Sequence, residues 1–202
     1  MLDGMLRKLI DPGLNRVGRI LAGRGLRADQ VTLIGLSLGL VAALMIAGGL
    51  PKGLALIPLL ASRLADGLDG AVARAGAKTD FGGFLDIVAD FAFYGMIPFA
   101  YAWVDPGNAL AAAFLILSFY VNGASFLAFA ILAEKRGLQT TARGEKSLYF
   151  TAGIMEGAET ILFLVAFCLW PAAFPTLATI FGLLCLVTAS ARTLLARRVF
   201  RA

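Results

Sequence analysis

The sequence has no histidine, only two cysteines and few charged residues. Of its 202 residues, 15% are charged, whereas an ordinary soluble domain has about 25%. The lack of histidine excludes Ser-His-Asp triads, histidine proton transfer and histidine metal sites. Cys168 and Cys185 lie in apolar segments, so we expect small apolar residues there and not a disulfide or a metal pair.

Apolar residues are abundant instead. Hydrophobic residues make up 59% of the chain, and its mean hydropathy is +0.83. This composition excludes a disordered or collagen-like chain and argues against a soluble enzyme. Because a helix needs about 20 mostly apolar residues to cross a bilayer, we predict an all-α polytopic membrane protein with six transmembrane helices. The predicted spans are residues 31–50, 53–74, 82–104, 109–133, 147–170 and 175–197.

A single membrane domain is predicted to occupy residues 1–202. In residues 1–27, apolar residues recur at helical spacing among basic ones, which predicts an amphipathic helix on the membrane surface. Residues 28–202 form the six-helix core.

Basic residues are distributed unevenly between the two sides of the predicted membrane. One side has Lys52 alone, and the other carries Arg7, Lys8, Arg16, Arg19, Arg24, Arg27, Arg74, Lys78, Lys135, Arg136, Arg143, Lys146, Arg192, Arg197, Arg198 and Arg201. The positive-inside rule therefore predicts cytoplasmic termini in the cell (inner) membrane. The net charge of +5 is interpreted as a topology signal, so no nucleic-acid partner is expected.

Carboxylates are concentrated in one short part of the chain. Five of the 13 acidic residues are Asp66, Asp69, Asp80, Asp86 and Asp90. Helical spacing places the first pair, 66 and 69, on one face of the second span, and 86 and 90 on one face of the third. Since a short turn joins these antiparallel helices, all four are predicted to lie roughly 6–12 Å inside the same end of the bundle.

Four like charges at this depth need counter-charge. Arg63 and Arg74 offset part of it, and two divalent cations would offset all of it, with oxygen ligands that suit Mg²⁺ or Mn²⁺. A structural ion cluster or a proton relay is the alternative.

For Asp80, a solvated loop acid is the better interpretation. Gly67 and Gly70 would let a phosphate or nucleotide approach the helix backbone.

The motif Asp66-x-x-Asp69-Gly70-x-x-Ala73-Arg74, followed by Gly82-x-x-x-Asp86-x-x-x-Asp90, resembles the signature of the CDP-alcohol phosphotransferases. The resemblance implies transfer of a phosphatidyl group from CDP-diacylglycerol, or a similar group from another CDP-alcohol, to an acceptor alcohol with release of CMP. It also implies contacts with membrane lipids and a homodimer.

The resemblance also implies residue roles. Asp66, Asp69, Asp86 and Asp90 would hold two Mg²⁺ or Mn²⁺ ions, with Asp86 and Asp90 catalytic and Asp90 the general base. The residues implied for the CDP moiety are Asp29, Gln30, Val31, Thr32, Asp66, Gly67, Gly70, Ala73, Arg74 and Thr79. The pair Ala28-Asp29 stands where the family often has Pro-Asn.

The candidate acceptor site lies later in the chain. Glu156 and Glu159 share a face of the fifth predicted helix and are candidates to bind acceptor hydroxyls. A buried polar network that fixes helix packing is the alternative. Basic Lys135, Arg143 and Lys146 would bind a phosphorylated acceptor or serve only as topology charges.

Residues 146–160 resemble a bacterial branch of the family, the YnjF-like proteins. A different class of function, transport of a divalent cation or a proton along the same carboxylates, remains an alternative. Against it, the acids cluster at one membrane face.

Overall fold

The computed structural model describes residues 3–137, 155 and 157–201. The helices are α1 (Asp3–Gly23), α2 (Ala28–Ala47), α3 (Lys52–Ala75), α4 (Asp80–Val104), α5 (Ala109–Lys135), α6 (Gly157–Leu169) and α7 (Phe174–Phe200). Short 3₁₀ turns at Pro106–Asn108 and Pro171–Ala173 precede α5 and α7. The described part of the chain contains no strand, which confirms the predicted all-α class.

Four of these helices, α2, α4, α5 and α7, are long and apolar enough to cross a membrane. Helix α3 has 24 residues, but Arg63, Asp66 and Asp69 make it too polar to count by composition. Helix α6 spans 13 residues, and residues 138–154 and 156 lie outside the described chain. The count of six spans therefore stays a prediction, as does the position of α1 at the membrane surface.

Glycines in the left-handed conformation end the first two helices. Gly25 has φ 86° and Gly49 has φ 75°, a conformation that side chains with a Cβ rarely adopt. After each helix the backbone makes the paired hydrogen bonds of a Schellman motif, such as Leu50 N–H to the Met45 carbonyl at 3.0 Å and Gly49 N–H to that of Ile46 at 3.1 Å. The second motif reverses the chain, so α3 runs back along α2.

Aromatic side chains fill the core where α4, α6 and α7 meet. The Tyr101 ring stacks on Phe174 with centroids 4.2 Å apart, and its hydroxyl donates to the Phe167 carbonyl at 2.7 Å. Phe93, Phe167 and Phe181 are also fully buried. This packing lies toward the C-terminal end of α4 and leaves the N-terminal end of α4 to the polar residues.

Candidate active site

Three carboxylates meet between α3 and α4. Asp66 on α3 and Asp86 and Asp90 on α4 each offer one oxygen, and these three oxygens lie within 4.8 Å of one another. The antiparallel helices thus bring together side chains that lie 20 or more residues apart in the sequence. Helical spacing predicted four carboxylates at this end of the bundle, and three of them converge.

The fourth carboxylate, Asp69, is held by α2. Its Oδ2 atom accepts a hydrogen bond from the Thr32 hydroxyl at 2.6 Å, and that hydroxyl also approaches the Ala28 carbonyl at 3.1 Å. Asp69 and Thr32 are both buried. Asp69 therefore has a fixed orientation before any ligand arrives.

Arg63 supplies a positive charge at the carboxylate cluster. Its Nη1 atom donates to Asp90 Oδ1 at 2.9 Å and lies 3.6 Å from Asp66 Oδ1. The guanidinium carbon lies 3.7 Å from the centroid of the Phe93 ring. The side chain is only 7% exposed.

The cluster has the chemistry of a divalent-cation site. Carboxylate oxygens are the hard ligands that Mg²⁺ and Mn²⁺ prefer, and three of them converge within 4.8 Å. Two of these carboxylates already form ion pairs with Arg63. The residues therefore fit the Mg²⁺ or Mn²⁺ that the sequence predicts.

A cavity of about 160 Å³ adjoins the cluster. Its walls come from α2, the end of α3 and the start of α4. The lining residues are Ala28, Asp29, Thr32, Asp69, Gly70, Ala73, Ala77, Lys78, Thr79, Gly82, Gly83 and Asp86. Asp86 belongs to both the cavity wall and the carboxylate cluster, so a molecule in the cavity lies beside the carboxylates.

The N-terminus of α4 forms part of this wall. Thr79 caps the helix, its hydroxyl oxygen accepting the Gly82 N–H at 3.0 Å. A Cβ on Gly82 would lie 2.9 Å from Asp29 Oδ1 and 3.0 Å from the Thr79 hydroxyl oxygen, so a larger residue here would displace the Asp29 carboxylate. Backbone N–H groups and the helix dipole at such an end favour a phosphate group.

The structure brings about half of the predicted CDP-binding residues to the cavity. Those that line it are Asp29, Thr32, Gly70, Ala73 and Thr79, while Asp66 lies in the adjoining cluster. The others lie elsewhere. The Gln30 side chain accepts the Arg27 N–H at the start of α2, and Val31 is buried with Ala65 and Val72.

Gly67 and Arg74 face helix α1. A Cβ on Gly67 would lie 3.1 Å from the Leu14 side chain. The Arg74 guanidinium donates to Asn15 Oδ1 at 2.9 and 3.2 Å. Their roles toward CDP stay predictions.

The predicted acceptor residues are only partly described. Lys135 is exposed at the end of α5, and Glu159 is half-buried in the first turn of α6. Arg143, Lys146 and Glu156 lie outside the described residues. The acceptor site therefore stays a prediction.

Sequence reasoning counted Lys78 only as a topology charge, although it also lines the cavity. Its place in the short α3–α4 turn, between Asp69 and Asp86, could have indicated this second role. Asn15 was also missed, because no local pattern in α1 indicates a contact with the end of α3.

The fold and site define a helical membrane protein with a cluster of carboxylates beside a cavity. The sequence profile of the CDP-alcohol phosphatidyltransferase family matches residues 26–194, so the chain belongs to this family. The resemblance carried by the aspartate motif is confirmed.

Among its relatives is the inner membrane protein YnjF of Escherichia coli (strain K12), which is 45% identical over 193 residues, covering 95% of this chain and 93% of that protein. The predicted branch of the family is therefore also confirmed.

Two solved structures share the fold. Phosphatidylinositol phosphate synthase (PgsA1) of Mycobacterium tuberculosis with CDP-DAG bound has a TM-score of 0.68 and 22% identity, covering 89% of this chain and 91% of that chain. The same synthase in complex with manganese and citrate has a TM-score of 0.65 and 23% identity, covering 89% and 87%. At these identities the likeness establishes the fold.

Proposed function

We propose that the protein transfers a phosphatidyl group from CDP-diacylglycerol to an acceptor alcohol and releases CMP. One observation carries the proposal. Asp69 and Asp86 line a cavity, and this cavity adjoins the three converging carboxylates. Family membership gives the reaction class. The relative with CDP-DAG bound supports the choice of donor.

The donor's CDP moiety is proposed to occupy the cavity. Its phosphates would lie at the N-terminus of α4, where Gly82 and Gly83 expose backbone and Lys78 adds positive charge. Phe81 and Phe84, each 62% exposed on the same helix turn, would contact the acyl chains. A donor with this shape keeps its head group in the cavity and its chains in the bilayer.

The four aspartates are proposed to hold two Mg²⁺ or Mn²⁺ ions. When bound, these ions would neutralise the diphosphate oxygens and the charge that develops on departing CMP. The manganese complex of the same relative supports the choice of metal. Thr32 keeps Asp69 oriented for this role through their hydrogen bond.

Asp90 is proposed as the general base. The acceptor hydroxyl oxygen forms a bond to the phosphorus that carries the diacylglycerol, and the bond from that phosphorus to the CMP oxygen breaks. CMP leaves with the bonding electron pair, and the hydroxyl proton passes to Asp90. Arg63 holds Asp90 in position at 2.9 Å, and the Asp90 side chain remains 31% exposed.

The acceptor is proposed to bind near Lys135, Arg143, Lys146, Glu156 and Glu159. The active site and both termini are proposed to face the cytoplasm at the inner membrane, and the protein is proposed to form a homodimer. A transport function is disfavoured because the bundle beyond Asp90 is filled by buried aromatic residues such as Phe93 and Tyr101.

An assay of CMP release tests the function. Purified protein in lipid vesicles is supplied with CDP-diacylglycerol, Mg²⁺ or Mn²⁺ and a panel of acceptor alcohols, and lipid products are identified by mass spectrometry. We expect CMP release with one acceptor and a matching phospholipid product. Asp90→Asn should lower the rate by about a hundredfold or more, because a general base contributes about 10²–10⁴.

Asp80→Asn is the matched control on the same helix. Asp80 is exposed in the first turn of α4 and does not line the cavity, so its rate should stay within about twofold. Undiminished CMP release by Asp90→Asn would remove the base assignment. No CMP release from CDP-diacylglycerol with any acceptor would contradict the proposed reaction.

A further inference from the structure

Arg63 is a buried cation that the family motif does not include, since that motif begins at Asp66. Its side chain is 7% exposed, and its Nε atom is buried without a hydrogen-bond partner among the described residues. Burying a charge and leaving a donor unpaired both destabilise a fold. Packing alone therefore does not explain an arginine at this position.

Aromatic and polar neighbours fix the guanidinium in place. It lies over Phe93 at 3.7 Å and near Tyr94 at 5.7 Å, and its Nη2 atom donates to the Ser62 hydroxyl at 3.3 Å. Phe93 is fully buried. These contacts hold Arg63 beside the cluster without any bound ligand.

The Arg63 guanidinium pairs with two of the carboxylates that a metal cation would bind. Its Nη1 atom lies 2.9 Å from Asp90 Oδ1 and 3.6 Å from Asp66 Oδ1. Both carboxylates belong to the three that converge within 4.8 Å. Because arginine remains protonated in proteins, the cluster always contains one positive charge.

We propose that Arg63 is a built-in counter-cation, which keeps the carboxylates together when no divalent cation is bound and weakens the binding of that cation. The proposal rests on the metal site of the proposed function. An opposite charge within about 4–6 Å changes the proton affinity of a carboxylate by about 10- to 1,000-fold. A divalent cation at the same oxygens is repelled by the same arginine.

Removing the arginine separates these two effects. Arg63→Met keeps most of the length and apolar contact of the side chain. It should bind Mn²⁺ about tenfold or more tightly than the native protein. In EDTA it should melt at a lower temperature, because Asp66 and Asp90 then lose their ion-pair partner, and saturating Mn²⁺ should restore most of that loss. Arg63→Lys should stay close to the native protein in both measurements.

Arg192→Met is the matched control. Arg192 is also a buried arginine, but its Nη1 atom donates to Asn122 and Ser125 on α5. Its loss should lower the melting temperature and leave the Mn²⁺ affinity unchanged. Affinity is measured at one fixed pH from the paramagnetic resonance signal of free Mn²⁺, and melting by intrinsic fluorescence in detergent.

The outcomes distinguish this proposal from the proposed function. Unchanged or weaker Mn²⁺ affinity in Arg63→Met, with the native protein binding Mn²⁺, overturns the role of Arg63 and leaves the metal site standing. No Mn²⁺ binding by the native protein overturns the metal site and this proposal with it.

A second variant covers the case in which Arg63→Met does not fold. The double variant Arg63→Met/Asp90→Asn removes one charge of each sign, so it should be recovered folded in EDTA and be more stable there than Arg63→Met. A double variant no more stable than Arg63→Met contradicts the counter-cation.

Discussion

At the scale of single residues, the Thr32–Asp69 contact shows how a buried carboxylate is tolerated before any metal binds. The hydroxyl of Thr32 lies 2.6 Å from Asp69 Oδ2, and both residues are less than a tenth exposed. A hydrogen bond to a buried charge contributes about 1.5–3 kcal/mol, more than one between neutral groups. This bond therefore belongs to the stability of the fold as well as to the site.

Thr32→Val tests that contribution, because valine keeps the shape of threonine and removes the hydroxyl. We expect a loss of about 1.5–3 kcal/mol, or a melting temperature lower by roughly 3–12 °C. Thr193→Val is the control, since within the described part of the chain the Thr193 hydroxyl bonds only to the carbonyl of Ala189 on its own helix. Equal melting of the two variants would show that the Asp69 contact contributes nothing.

The aspartates could be predicted from the sequence, whereas the setting of Arg63 could not. Helical spacing and one short turn are enough to bring residues 66, 86 and 90 together. The stacking of Arg63 on Phe93 depends on how far α3 is rotated against α4, and no local pattern fixes that rotation. For the same reason Arg74, which shares a face with the aspartates by spacing, bonds instead to Asn15.

At the scale of helices, the close approach of α1 to α3 depends on Gly18. A Cβ at this position would lie 2.7 Å from the backbone carbon of Ala71, which cannot shift as a flexible side chain can. The same interface places Leu14 against Gly67 and Asn15 against Arg74. A single methyl group at residue 18 therefore affects every contact of α1 with the end of α3.

Gly18→Ala should loosen α1 from α3, with a cost of about 1–3 kcal/mol for overpacking. Hydrogen–deuterium exchange of the α1 amides, followed by mass spectrometry, measures the effect as faster exchange. Gly13→Ala is the control on the same helix, because nothing lies within 4 Å of its added Cβ and alanine favours helix by about 1 kcal/mol. Slower or unchanged exchange in Gly18→Ala would contradict the interface.

The predicted helix boundaries agree with the structure where turn residues flank the helix. The prediction of 53–74 for the second span agrees with α3 at Lys52–Ala75, since Pro51 and Gly76 flank it. The first span, predicted at 31–50, is instead Ala28–Ala47. Apolarity continues past the helix end there, but Gly49 adopts a positive φ, and polar residues 29 and 30 form the first turn.

At the scale of the whole molecule, the two ends of the bundle differ in charge and in the placement of the tryptophans. Arg136 at the end of α5 donates to the carbonyls of Val199 and Phe200, so the ends of α5 and α7 lie together. Basic residues gather at this end, where α3 also stops. Trp103 and Trp170 are 69% and 62% exposed at the opposite end, as expected for an aromatic belt at a membrane interface.

This asymmetry predicts the orientation of the protein in the membrane. Ala75 ends α3 at the basic end, and Ala172 lies in the turn between α6 and α7 at the other. Both are exposed, so Ala75→Cys and Ala172→Cys form a matched pair.

In intact bacterial cells a membrane-impermeant maleimide should label Ala172→Cys. It should label Ala75→Cys only after permeabilisation, because the positive-inside rule places the basic end in the cytoplasm. The native protein is the control, since Cys168 and Cys185 are buried and should stay unlabelled. The reverse pattern would place the aspartate site outside the cell, away from cytoplasmic CDP-alcohols.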